Sequence, residues 1–115
     1  MSTLESDVRD LADRYDAGAI DEVGREELDT LDAFLTALES GEVRAAEPAD
    51  DGWAANEWVK RGILLNFGLR DIRAFGHGGV AYHDVLPLRG TDDLPERGTR
   101  NTPSGTVIRR GAYVG

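Results

Sequence analysis

Residues 58–69 read WVKRGILLNFGL, and no other segment of the chain carries so broad an apolar band. Val59, Ile63 and Phe67 recur at i, i+4 and i+8, and Leu64 and Leu65 widen the stripe. That spacing predicts a helix within residues 53–69, with Phe67 fully buried at the centre of the fold. Gly62 and Gly68 each cost a helix interior about 1 kcal/mol relative to Ala. Gly62 is expected to permit close packing, and Gly68 to end the helix.

A helix this apolar needs partners to cover it. Residues 3–16 offer one stripe, Leu4, Val8, Leu11 and Tyr15, spaced 4, 3 and 4, with acids on the opposite face. Residues 23–40 offer another, Leu28, Leu31, Phe34, Leu35 and Leu38, with Gly41 as its C-cap. EVRAAEP reads as a short strand and PADDG as a turn. DIRAF and VAYHDVL alternate around GHGG, which predicts a β-hairpin closed by Pro87. Residues 89–105, with two prolines and three glycines, read as a long loop or linker.

At 115 residues the chain has enough material for one small domain with a modest core. It has no cysteine, so neither a disulfide nor a thiolate metal site is available. MSTLESDVRD is acidic and unlike a signal peptide, and no apolar run reaches membrane-spanning length. A cytoplasmic protein without membrane contact is the expectation. Residues 1–50 hold fifteen acids and four arginines, net −11, whereas residues 51–115 hold seven acids and nine bases, net +2. The acidic half argues against nucleic acid as a partner. Lys60 is the only lysine against twelve arginines. Such a surface suits a high-salt cytoplasm, where self-repulsion is screened, or simply a GC-rich genome; both stay open.

Candidate chemistry is sparse. His77–Gly79 could be forced into an oxyanion loop, but no G-x-S-x-G elbow accompanies it, and a hairpin turn explains it better. His77, His83 and Asp84 lack helical metal-ligand spacing and read as exposed strand residues; no metal site is expected. Trp53 and Trp58 read as core anchors, because no basic stripe makes them a stacking platform. No nucleophile, base and orienter assemble, so no catalytic residue is assigned to this chain.

In TVIRRGAYVG, Ile108 and Val114 stand six apart around small Gly111 and Ala112. A left-handed parallel β-helix places one inward aliphatic residue per hexad and small residues at its corners, and it needs several coils for stability. An ordinary strand accounts for Ile108, Ala112 and Val114 as well, so the pattern alone leaves both possibilities open.

Other segments carry a resemblance. SGEVRAAEPADDGWAANEWVKRGILLNFGLRD follows S-G-x-L-R-V-A-E, G-x-W and W-[LV]-K-[KR]-[AG]-[IV]-L-L-x-F, through Ser40, Gly41, Arg44, Glu47, Trp53, Trp58, Lys60, Leu64, Leu65 and Phe67. YHDVLPLR follows Y-x-D-K-V-P-[LM]-[KR], and GTRNTPSGTVIRRGAYVG follows G-x-R-V-V-P-x-x-x-V-R-x-G-A-[YF]-[IV]. Together these resemble the tetrahydrodipicolinate N-succinyltransferase family. Val85 and Pro48 stand where the family has lysine, and one extra residue falls between Pro103 and Gly111.

The resemblance implies an α+β fold: a small helical and hairpin domain at 1–90, a linker at 91–104, and at 105–115 the first coil of a left-handed parallel β-helix. The family's chains are much longer, so this sequence is expected to be a fragment, inactive by itself. The implied reaction moves succinyl from succinyl-CoA, a co-substrate rather than a resident cofactor, to tetrahydrodipicolinate in lysine biosynthesis. The implied assembly is a homotrimer. Arg100, in GTR, matches the family's G-x-R and is implied to bind the dicarboxylate substrate. The alternatives are an N-acetyltransferase acting on the same substrate and a non-enzymatic acidic helical interaction domain.

Overall fold

A computed structural model describes residues 3–77, 79–103 and 106–115. Three helices pack together first: α1 (Leu4–Asp16), α2 (Arg25–Ser40) and α3 (Glu57–Leu69). Thr3 caps α1, its hydroxyl accepting from the Ser6 N–H at 3.1 Å. At the start of α2 the Glu27 carboxylate accepts from the Gly24 N–H at 3.1 Å. Gly41 ends α2 in the left-handed region at φ +79°, as its position after the last apolar residue predicts. Val8, Leu11 and Ala12 of α1 meet Leu31, Phe34 and Leu35 of α2 and Val59 and Leu65 of α3 in one core.

The phase of α3 departs from the expectation. Its buried face is Val59, Gly62, Leu65 and Asn66, whereas Phe67 is 42% exposed and Leu64 61%. The cause is Gly62. The fully buried Phe34 ring lies so close to the α3 backbone that a Cβ at Gly62 would stand 2.5 Å from it. Packing an aromatic ring against bare backbone turns the glycine inward and rolls Leu64 and Phe67 out. Trp58 adds its edge to Phe34, with centroids 6.0 Å apart. Buried Asn66 is satisfied on both sides: its amide donates to the Gly62 carbonyl at 2.9 Å, and its oxygen accepts from Arg70 Nε at 2.9 Å. Gly68 does not end the helix, which runs on to Leu69. It leaves room for Tyr15, whose hydroxyl a Cβ there would meet at 2.6 Å.

Two antiparallel hairpins complete the fold. β1 (Ala46–Ala49) pairs with β2 (Gly52–Ala55) around Asp50 and Asp51. The strand in EVRAAEP and the turn in PADDG are therefore present. Trp53, however, belongs to β2 and is 76% exposed, so it is not a core anchor. All eight residues of this hairpin are exposed and Trp53 stands opposite Pro48, so the hairpin has no buried face for Trp53 to share. Asn56 closes the hairpin's base, its amide donating to the Arg44 carbonyl at 2.7 Å. β3 (Arg73–His77) and β4 (Val80–Asp84) form the second hairpin in the expected place, with Phe75 stacked on Tyr82 at 5.7 Å. Of its turn, Gly79 sits at φ +80°, and Gly78 lies outside the described residues. Beyond it, Leu88 bridges Arg109 antiparallel. That bridge is the only strand pairing of residues 106–115 among the described residues, so the hexad pattern is not accompanied here by a coil. No described helix is long and apolar enough to cross a membrane.

The two phenylalanines separate in a stability test. Phe34→Ala should cost about 3–5 kcal/mol in urea unfolding, and Phe67→Ala less than about 1 kcal/mol. Equal losses would show that α3 is rotated from the phase described.

Candidate functional site: an arginine at a cavity wall

The polar segment after Gly90 is folded by one carboxylate. Asp93 Oδ2 accepts from Arg89 Nη2 at 2.8 Å and from Arg97 Nε at 2.9 Å. Arg89 is held tightly, with its side chain only 7% exposed. Between them the chain makes a tight turn: Leu94 is buried beneath it, Pro95–Arg97 form a single 3₁₀ turn, and Gly98 ends it at φ +71°. The hydrogen bond from Arg97, and the bond and charge of Arg89, hold the Asp93 carboxyl below the usual carboxylate range against the opposing effect of desolvation.

This turn grips residues 113–115. Arg97 Nη1 donates to the Val114 carbonyl at 2.8 Å, and the Thr99 hydroxyl donates to the Gly115 carbonyl at 3.0 Å. Arg97 also lies 5.4 Å from the Tyr113 ring, and Arg44 lies 4.0 Å from it. Glu39 of α2 holds the same segment from the other side. Its Oε1 accepts from Arg110 Nε at 2.6 Å and from the Gly111 N–H at 2.9 Å. Thr36 Oγ1 accepts from Arg110 Nη2 at 3.0 Å. Gly111, at φ +94°, brings the backbone against Leu35, where a Cβ would stand 3.0 Å from that side chain.

Arg100 follows Thr99 directly. It is exposed and lines a cavity of about 470 Å³ with Leu94, Thr99, Ile108, Arg109 and Val114. Its guanidinium makes no ion pair among the described residues. Arg109, on the same wall, is already engaged: it forms two bonds to Asp84, Nε to Oδ2 and Nη2 to Oδ1, each 2.9 Å long. A free planar cation over an apolar floor can take a carboxylate through two parallel hydrogen bonds.

The remaining sequence candidates do not converge. Asp84 is committed to Arg109 and to the Val85 N–H, which donates to it at 2.7 Å. His83 is exposed opposite Ala74, and the side chain of His77 lies outside the described residues. No cluster of three His, Asp or Glu suited to a metal occurs among the described residues. Asp93 and Glu39 escaped sequence reasoning. For Asp93 a signal existed, since it stands four residues from both Arg89 and Arg97. Glu39 pairs across 71 residues, and no local pattern reports that.

A family model described as tetrahydrodipicolinate N-succinyltransferase N-terminal matches residues 3–69. The curated relatives include three named 2,3,4,5-tetrahydropyridine-2,6-dicarboxylate N-succinyltransferase. The protein of Gluconobacter oxydans is 40% identical over 95 residues, covering 77% of this chain and 34% of its own length. That of Granulibacter bethesdensis is 44% identical over 92 residues, covering 75% and 32%. That of Rhodopseudomonas palustris is 34% identical over 122 residues, covering 100% and 43%. The chain thus spans well under half the length of these relatives.

The depressed Asp93 carboxyl has a pH signature. Its contribution to stability is complete above the unfolded-state value near 3.9 and is lost as pH falls through the lower folded-state value. Asp93→Asn should therefore be less stable than wild type at pH 7, and the two urea midpoints should converge on acidification below about pH 4. Equal midpoints at pH 7 would mean that the two arginines gain nothing from the carboxylate.

Proposed function

The chain belongs to the tetrahydrodipicolinate N-succinyltransferase family, and from that premise we propose that it supplies the N-terminal unit of the acyltransferase its relatives are named for. In this reading the amine of ring-opened tetrahydrodipicolinate attacks the thioester carbonyl of succinyl-CoA. The C–N bond forms, the C–S bond breaks, coenzyme A leaves as its thiol, and a carboxylate base takes the proton of the amine. The product is N-succinyl-2-amino-6-oxopimelate, an intermediate on the way to diaminopimelate and lysine. Succinyl-CoA is a co-substrate, and no resident cofactor is invoked.

The family match over residues 3–69 carries this reading. The names of the relatives favour the succinyl donor over acetyl-CoA, and the same match argues against a free-standing interaction domain. Within the chain we assign Arg100 to the substrate dicarboxylate, on its place at the cavity wall, where it makes no ion pair among the described residues. We further assign residues 1–90 to the helical and hairpin domain, 91–104 to a connecting segment, and 105–115 to the first coil of a left-handed β-helix. The working form is a cytoplasmic homotrimer. In this reading the groove for coenzyme A and the carboxylate base are supplied by residues other than these.

Two measurements test the reading. Residues 1–115 alone should release no thiol from succinyl-CoA above background; measurable release would place the acyl-transfer site within this chain. In the full-length enzyme, Arg100→Lys should raise the apparent KM for the amino dicarboxylate and leave that for succinyl-CoA unchanged. Loss of a charged hydrogen bond, about 1.5–3 kcal/mol, corresponds to a roughly ten- to hundredfold fall in kcat/KM. Unaltered dicarboxylate kinetics would remove Arg100 from the site.

A further inference from the structure

We propose that Asp93 is a positioning residue for Arg100, acting through the turn it holds together; the proposal rests on Arg100 being the cation for the dicarboxylate. An exposed arginine gains directional hold on a carboxylate only if its backbone is fixed, because its side chain is long and mobile. Among the described residues, that backbone is anchored next to the turn closed by Asp93. Arg89 and Arg97 meet on one oxygen, Asp93 Oδ2, at 2.8 and 2.9 Å. Arg97 passes the hold on to the Val114 carbonyl at 2.8 Å. Thr99, adjacent to Arg100, is tied twice: its N–H donates to the Leu94 carbonyl at 3.0 Å, and its hydroxyl donates to the Gly115 carbonyl at 3.0 Å. Leu94 and Val114, which lie at the two ends of these bonds, line the same cavity as Arg100. The cavity wall and the cation it carries therefore share one brace.

Asp93 touches no substrate in this scheme. With Asn at the position, the charge that gathers the two guanidiniums is gone, the turn loosens, and Arg100 keeps its charge but loses its aim. The consequence falls on the dicarboxylate and not on the acyl donor.

A double-mutant cycle in the full-length enzyme tests this, with steady-state kinetics on Asp93→Asn, Arg100→Ala and the double variant. Asp93→Asn should raise the KM for the amino dicarboxylate about tenfold, within the range that coupled neighbours show, and leave the KM for succinyl-CoA within twofold. In the Arg100→Ala background, the same change should alter the dicarboxylate KM by less than about twofold. Asp93→Glu should recover part of the loss. Thr99→Val, which removes one hydroxyl and keeps the side-chain shape, should shift the dicarboxylate KM in the same direction and serves if Asp93→Asn does not fold. An unchanged KM in Asp93→Asn, with a raised KM in Arg100→Ala, would overturn the proposal and leave the Arg100 assignment standing. Equal factors in both backgrounds would overturn it as well, because Asp93 would then act independently of Arg100. An unchanged KM in Arg100→Ala would overturn the assignment itself, and the proposal with it.

Discussion

Everything in the helical unit is arranged around the Phe34 ring lying on the bare backbone of α3 at Gly62. Close approach of α2 and α3 requires that one of them present no side chain at the contact. Once the glycine takes that place, the register of α3 follows. Val59 and Leu65 turn to the core, Asn66 is buried beside the glycine carbonyl it bonds, and Arg70 reaches Asp32 Oδ1 at 2.6 Å. The roughly 1 kcal/mol of helix propensity lost at Gly62 is smaller than the several kcal/mol that burial of a whole aromatic ring contributes. For that reason a glycine persists in the middle of the most apolar helix.

The uneven charge of the chain becomes a set of cross-links. Residues 1–50 are strongly acidic, and arginines from the later part of the chain come to meet them. Arg61 bonds Asp13 and Asp16 at 2.8 and 3.0 Å, Arg70 bonds Asp32, and Arg110 bonds Glu39. Exposed pairs such as Arg61 with Asp13 are worth little in isolation. The Glu39 contact differs, since both partners are largely covered and the same oxygen also accepts a backbone N–H. It ties α2 to residues 110–111. Arg61, Arg70 and Arg110 are thus engaged in internal pairing with the acidic first half of the chain.

How much of this was legible follows from what each feature depends on. α1, α2, the second hairpin, and the first strand and turn of the first hairpin announced themselves through local periodicity and turn residues, which are properties of adjacent positions, whereas β2 did not. The phase of α3 did not, because apolarity counted toward Phe67 and against Gly62 and Asn66, while the decisive neighbour was Phe34, some thirty residues earlier. Trp53 misled for a related reason: its size suggested burial, but it lies on a two-stranded hairpin exposed along its whole length, opposite Pro48, and stays 76% exposed. At the site, Arg100 was reached only through a motif resemblance. The four-residue spacing of Arg89, Asp93 and Arg97 was present but looked like ordinary loop polarity.

The exposed face of α3 also meets a residue of the cavity wall, Arg109. Phe67 turns away from the core but toward the later part of the chain, where the Arg109 guanidinium lies 5.0 Å from its ring. A guanidinium is weakly hydrated and stacks on aromatic faces at little desolvation cost. Its charge is fixed from the other side by both oxygens of Asp84, at the end of β4. Arg109 therefore joins α3, the second hairpin and the bridge to Leu88 at one point. Neighbouring Arg110 pulls toward Glu39 on α2. Two consecutive arginines bound to opposite supports leave residues 108–111 little freedom to rotate. Since Ile108 and Arg109 form part of the cavity that Arg100 lines, the outward roll imposed by Gly62 extends, through Phe67 and Arg109, to the shape of the candidate site.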